Sequence, residues 1–181
     1  MNLNTGLLGG GSWGTTVAAL IARNASITMW ARDQGTVDEI NSRHTNSKYL
    51  PEAGLPAELQ ATSDIEEAVA MMDVIVMGIP SQSFRGVLEQ IKPHIRPWVP
   101  VISLSKGLEL SSGKRMTELI NEVLPGHPAG VLTGPNLARE IMSGYAAASV
   151  IAMEDDIIVR ELQKLFHSGL FRVYTNHDVI G

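Results

Sequence analysis

Residues 6–20 read GLLGGGSWGTTVAAL. Gly9, Gly11 and Gly14 stand at the spacing G-x-G-x-x-G, and each position answers a different physical demand. The first glycine permits a tight turn, the second lets backbone approach a pyrophosphate, and the third lets a helix pack closely on a strand. Amides left unpaired at the start of such a helix present donors and positive potential to phosphates. The pattern alone recurs in many glycine-rich turns, so its surroundings matter. The apolar run Thr5–Leu8 precedes it, Val17, Leu20 and Ile21 follow at helical spacing, and a second strand-like run ends at Trp30.

The same rhythm continues outward. Short runs rich in Val and Ile, bounded by Gly, Pro, Ser or Asn, predict strands at Thr5–Leu8, Ser26–Trp30, Val74–Ile79, Val99–Leu104, Gly130–Thr133, Ala147–Met153 and Phe171–Tyr174. Between them, apolar residues at three-to-four spacing predict helices around Val17–Ile21, Ile65–Met72, Phe84–Ile91, Met116–Val123 and Ile158–Phe166. Ser63 followed by Glu66 is read as a capping box opening the second of these. Strand alternating with helix implies parallel strands joined by right-handed crossovers. The expected architecture is therefore α/β: a doubly wound, mostly parallel sheet with helices on both faces. The polar stretch from Ser42 to Gln60 is read as an extended surface loop.

Composition bounds the function. At 181 residues the chain matches one domain, with 44% hydrophobic and 18% charged residues. A net charge of -5 offers no basic field for nucleic acid. The absence of cysteine removes disulfides, thiolate metal sites and thiol nucleophiles, and no metal site is expected. No apolar stretch approaches the roughly 20 residues that cross a bilayer, and no cationic segment precedes an apolar one at the N-terminus. A cytoplasmic protein is expected.

In open parallel sheets ligands gather beyond the carboxyl ends of the strands, so residues there are candidates. Arg32 and Asp33 follow the second strand, where an acidic residue selects a free ribose 2′-hydroxyl and an arginine accommodates a 2′-phosphate. Arg32 is either a solvated surface arginine or an adenine and 2′-phosphate ligand, which tilts the coenzyme toward NADPH and leaves NAD open. Ile79, Pro80 and Ser81 lie at the next edge, and Lys106 with Gly107 at the one after. Lys106 is either a solvated charge or a point cation for a phosphate or a developing alkoxide. In TGPNLAREI, residues 133–141, Gly134 and Pro135 form a turn and Asn136 stands where a helix would begin, as an N-cap, an anion ligand or both.

Taken together, GGGSWGTT, YLP, SKGLE, TGPNLAREI and FRVYTNHDVIG resemble, in order and spacing, the bacterial NAD(P)-dependent glycerol-3-phosphate dehydrogenases. The match spans nearly the whole chain, and Trp13, Ser105-Lys106-Gly107 and the FRVY segment make it specific. The resemblance implies a Rossmann-type domain and interconversion of sn-glycerol 3-phosphate and dihydroxyacetone phosphate for glycerophospholipid synthesis. It further implies that Gly9, Gly11, Ser12, Trp13, Gly14, Arg32, Tyr49, Lys106 and Ala138 contact the dinucleotide, and that Lys106, Gly134 and Asn136 meet the substrate. Asn136 stands where relatives commonly have Ser or Thr, Tyr145-Ala146-Ala147 replaces a Pro-Thr stretch, and Gly10 replaces an alanine.

In that family the stretch resembling Asp178–Gly181 runs into a helical second domain whose early lysine donates and accepts the proton. The expectation is a single domain over residues 1–181, truncated where the helical substrate domain would begin. It would carry no catalytic proton donor, bind coenzyme, turn over poorly alone and self-associate through the apolar face left uncovered. His44, His94, His127, His167 and His177 are read as structural or solvated. Two alternatives remain: another hydroxyacid or ketopantoate-type reductase domain, and a nucleotide-sensing module without chemistry.

Overall fold

Along β1 (Asn4–Leu8) successive side chains alternate between the two faces of a sheet, and both faces are dry. Leu7 enters one core and Leu8 the other. The same alternation divides β6 (Val74–Met77), with Val74 and Val76 on the Leu7 side and Ile75 and Met77 on the Leu8 side. Parallel strands buried on both faces read as unbroken apolar runs, which is why these segments are legible as strands.

The structure, a computed structural model, describes residues 3–180. After β1 come α1 (Ser12–Ile21), β2 (Ser26–Trp30), α2 (Gln34–Arg43), β3 (Thr45–Asn46), β4 (Leu50–Gly54), β5 (Leu59–Thr62) and β6. There follow α3 (Ser81–Ile91), β7 (Val101–Ser103), α4 (Met116–Val123), β8 (Ala129–Thr133), α5 (Ala138–Met142), β9 (Ala147–Met153), α6 (Asp156–Phe166) and β10 (Phe171–Asn176). Eight strands form one sheet in the order β10-β9-β8-β7-β6-β1-β2-β5, and β3 pairs with β4 in a separate hairpin. Helices α1, α2, α5 and α6 contribute to the core on the Leu7 side, and α3 and α4 to the core on the Leu8 side. This is the expected mostly parallel, Rossmann-like sheet with helices on both faces.

Several expectations are corrected. Every neighbouring pair in the sheet is parallel except β8 with β9, which run antiparallel with Thr133 opposite Val150. The connection at residues 134–146 contains only the five-residue α5, so the chain turns back beside β8 instead of crossing over it. Residues 65–71 form successive turns, not a helix. Asp64, not Ser63, accepts the amides of Glu66 (2.9 Å) and Glu67 (3.4 Å), while Ser63 Oγ donates to Gln34 Oε1. The stretch read as a surface loop from Ser42 contains the β3–β4 hairpin and the start of β5.

The C-terminal run Phe171–Tyr174 extends through Asn176 as β10, parallel to β9. Gly181 lies outside the described residues. Among the described residues no helix is long and apolar enough to cross a membrane.

Candidate coenzyme and substrate site

β1 enters the glycine turn and α1 leaves it, and the geometry of that turn is set by backbone crowding. Gly9 holds φ +124°, a region open chiefly to glycine, and a Cβ there would lie 2.3 Å from the carbonyl oxygen of Gly78. A Cβ on Gly14 would lie 2.0 Å from the carbonyl oxygen of Gly9. Gly9 N also donates to Trp30 O at 3.0 Å, binding the turn to the end of β2, and Gly78 N donates to Leu8 O at 2.8 Å, binding the segment after β6 to the end of β1. Gly11 is different. It is the N-cap of α1, has no side chain to close the helix end, and nothing lies within 4 Å of where its Cβ would be. Open space beside unpaired amides at a helix start is the arrangement that admits a pyrophosphate.

Two clefts open on either side of this turn. One, of about 580 Å³, is lined by Gly9, Gly10, Gly11, Arg32, Asp33 and Tyr49, with Lys48 and the Gly78–Pro80 stretch after β6 completing it. Arg32 is exposed at its edge. Asp33 is committed elsewhere: as N-cap of α2, its Oδ2 accepts from Thr36 N at 3.0 Å and Thr36 Oγ1 at 2.7 Å. These bonds, led by the hydroxyl, hold its carboxyl below the usual range. The mixed signal of Arg32 followed by Asp33 thus separates into one exposed cation and one capping anion. Lys48 Nζ stands 5.5 Å from the centre of the Tyr49 ring, a cation–π contact that gathers both at this cleft.

The second cleft, of about 250 Å³, is lined by Trp13, Leu104, Lys106, Leu132, Thr133, Gly134 and Asn136. Lys106 is the only ionisable side chain in that lining, and its Nζ donates to Gly134 O at 3.2 Å. One N–H so used leaves two donors free for a ligand. Asn136 does not cap α5; Leu137 occupies the N-cap without a side-chain bond. Instead Asn136 Nδ2 donates to Ser149 Oγ on β9 at 2.5 Å, which pins the amide at the cleft wall. A wider hollow of about 420 Å³ continues past Gly134 and Asn136 to Tyr174 on β10.

Of the site residues expected from sequence, Gly9, Gly11, Arg32 and Tyr49 line the first cleft, and Trp13, Lys106, Gly134 and Asn136 the second. Gly14 is buried in the turn. Ser12 and Ala138 begin α1 and α5 and line neither cleft. None of the five histidines lines either cleft. His44 is the C-cap of α2 and His167 that of α6, His127 Nδ1 donates to Val99 O, and His94 and His177 approach Glu66 and Asp156. Among the described residues no group of acidic and histidine side chains could hold a metal ion.

Sequence reasoning missed the supports. Arg85 on α3 makes a two-pronged pair with the nearly buried Glu109 (2.8 and 2.9 Å), and Gln82 bonds the main chain at both Leu108 and Leu110, fastening the Lys106 loop to α3. It also missed Asn46, fully buried behind the glycine turn. No local spacing signals either, because each acts on residues distant in sequence.

Residues 4–158 match the family described as NAD-dependent glycerol-3-phosphate dehydrogenase, N-terminus. An NAD(P)+ glycerol-3-phosphate dehydrogenase of Sphingopyxis alaskensis is 70% identical over all of this chain and 54% of its own length. One from Mycobacterium avium is 53% identical over 97% of the chain and 52% of its length. A crystal structure of glycerol-3-phosphate dehydrogenase from Coxiella burnetii superposes with a TM-score of 0.92 at 30% identity, over 99% of this chain and 55% of that one. The chain thus spans about half the length of the relatives it matches. With the glycine turn, the Lys106 loop and the Gly134–Asn136 corner at one sheet edge, the chain belongs to the N-terminal family of NAD-dependent glycerol-3-phosphate dehydrogenases.

Proposed function

We propose that this chain is the coenzyme-binding part of an enzyme that interconverts sn-glycerol 3-phosphate and dihydroxyacetone phosphate, in the cytoplasm, for glycerophospholipid synthesis. The observation that carries the reading is the meeting of an open helix N-terminus at Gly11 with Lys106 and Asn136 at the same sheet edge. Family membership favours it over a ketopantoate-type reductase.

The amides of Gly11, Ser12 and Trp13 would hold the pyrophosphate of NAD or NADP, Arg32 and Tyr49 the adenosine end, and Ala138 a further part of the dinucleotide. Arg32, exposed beside an Asp33 engaged in capping α2, favours the 2′-phosphate of NADPH. When bound, the nicotinamide ring supplies or accepts the hydride. Lys106, held by Gly134 O, would then direct its remaining donors to the coenzyme and to a substrate oxygen, and the Asn136 amide would orient the substrate. Lys106 carries a fixed positive charge to the place where negative charge develops on oxygen. By its resemblance to the family, the proton donor and acceptor would be a lysine of the helical second domain, and this part alone would turn over poorly. Exposed Leu137, Tyr145, Leu170 and Tyr174 support self-association of the isolated domain, read out by light scattering over a concentration series.

Fluorescence titration with NADH and NADPH, with and without dihydroxyacetone phosphate, tests the assignment. The parent chain should bind both coenzymes, NADPH more tightly, and respond to the triose phosphate. Lys106→Ala should keep coenzyme binding and lose that response. Unchanged coupling in the variant removes Lys106 from the site, and coenzyme binding without any triose phosphate response in the parent favours a sensing module.

A further inference from the structure

Asn46 is 0% exposed, although it sits in a two-residue strand of a polar hairpin. Its Nδ2 donates to Gly10 O at 3.0 Å and to Thr15 Oγ1 at 2.9 Å. A carbonyl oxygen only accepts, so the nitrogen must face Gly10 and the amide orientation is fixed. Its Oδ1 is buried with no partner. A residue serving only to fill that space would be better apolar, since an orphan buried acceptor weakens the fold. The two atoms it grips flank Gly11–Gly14, the stretch whose amides open α1. Gly10 is held from the other side as well: the site of its Cβ lies 2.9 Å from the Ala31 Cβ. The hairpin that delivers Asn46 continues into Lys48 and Tyr49 at the wall of the larger cleft.

We propose that Asn46 is a positioning residue for the coenzyme, clamping the glycine turn between β2 and the hairpin so that the amides of Gly11, Ser12 and Trp13 stay aimed at the pyrophosphate. The proposal rests on the coenzyme reading of this turn. The clamp acts through the Gly10 carbonyl and the Thr15 hydroxyl and touches no ligand itself. It also ties the hairpin that carries Lys48 and Tyr49 to the turn.

The substitution Asn46→Asp supplies a readout that mere structural damage would not give. An ionised carboxylate cannot donate to Gly10 O, whereas a protonated carboxyl can, and burial raises the pH at which it protonates. The probe is ADP-ribose, whose pyrophosphate does not titrate near neutrality, measured by calorimetry on the 181-residue chain at a temperature where circular dichroism shows each variant folded. The ionisable groups on the surrounding elements are Glu39 and Arg43 on α2, His44 at its C-cap, Lys48, Tyr49 and Glu52 on the hairpin, Arg32 and Asp33 after β2, and Arg139 and Glu140 on α5; the glycine turn and α1 carry none. Parent and variant share all of these groups, so the ratio of the two affinities isolates position 46. At pH above neutrality Asn46→Asp should bind ADP-ribose about tenfold or more weakly than the parent, and the gap should close as pH falls. Asn46→Ala should be weakened at every pH, and it carries the test if the aspartate variant does not fold. Affinity within about twofold of the parent in a folded variant, or a loss in Asn46→Asp that does not recover with acid, overturns the clamp. A parent chain that gives no heat with ADP-ribose sinks the coenzyme reading itself, which distinguishes the two failures.

Discussion

The glycine turn follows β1 and the Lys106 loop follows β7, on either side of β6, yet they are held in place by different means. The turn is fixed without charge: main chain packs on main chain, Gly9 against Gly78 and Gly14 against Gly9, and the neutral Asn46 amide bonds Gly10 O. The loop is fixed by side chains: Arg85 on Glu109, Ser112 on Glu109, and Gln82 on the backbone at Leu108 and Leu110. Steric fixation has no charge to titrate and no room for an extra methyl group. Electrostatic fixation tolerates a change of shape and responds to pH. A dinucleotide whose pyrophosphate always has the same form suits the first, and a lysine that must meet a developing charge can be supported by the second.

The largest effect expected from this contrast comes from Gly14→Ala. In an unobstructed helix, exchanging glycine for alanine gains about 1 kcal/mol. Here the new Cβ would lie 2.0 Å from the Gly9 carbonyl oxygen, and that atom belongs to the turn, not to a flexible side chain. The sign should reverse, with a loss of about 3 kcal/mol in chemical denaturation and no detectable NADH binding. A stabilised Gly14→Ala protein would show that the turn yields and that the steric account is wrong.

Gly11→Ala sharpens the same point with a smaller effect. Gly11 has φ -73° and ψ 175°, which any residue adopts, and its Cβ position is open. Stability should stay within about 0.5 kcal/mol of the parent. Affinity for NADH should nevertheless fall about tenfold, near 1.4 kcal/mol, because the methyl group would occupy the approach of the pyrophosphate. Equal binding by parent and variant would move the coenzyme off this turn.

The same contrast explains what sequence could reveal. The strands at Ser26–Trp30 and Ala147–Met153 and the helix at Met116–Val123 coincide with expectation because burial there writes a periodic apolar pattern into consecutive residues. Ile65–Met72 has the helical spacing and Asp64 accepts two successive amides as an N-cap does, yet the main-chain bonds mix three- and four-residue spans and the segment stays in turns. α2 was missed because QGTVDEINSR buries only Thr36, Val37 and Ile40, too little to mark a period. The glycine turn was legible because its demands fall within six residues. Asn46 and Arg85 were not, since the partners that give them meaning lie 31 to 36 and 24 to 37 positions away.

The smallest expected effect is the one that most directly separates the two kinds of support. Arg85 also pairs with Glu122 at 2.9 Å, and Lys114 reaches the same carboxylate at 2.5 Å. Arg85, then Lys114, hold the Glu122 carboxyl down to about 2 from an ordinary 4.5, and Arg85 first, then Ser112, lowers that of Glu109. A carboxyl depressed in the folded state binds fewer protons there than when unfolded, so its contribution is complete above the ordinary value and disappears as pH falls through the folded one. The parent should therefore lose stability between pH 4.5 and about 2 faster than Arg85→Ala, in which Glu109 has no guanidinium beside it. The difference in denaturation midpoint between them should be greatest above pH 4.5 and narrow steadily below it. These pairs are partly exposed, so the difference should also shrink in high salt. NADH affinity at neutral pH should change little, because the glycine turn shares no bond with this network, whereas the response to dihydroxyacetone phosphate should weaken as the Lys106 loop loosens. Parallel pH curves for the two proteins would mean that the loop, like the turn, is held without charge.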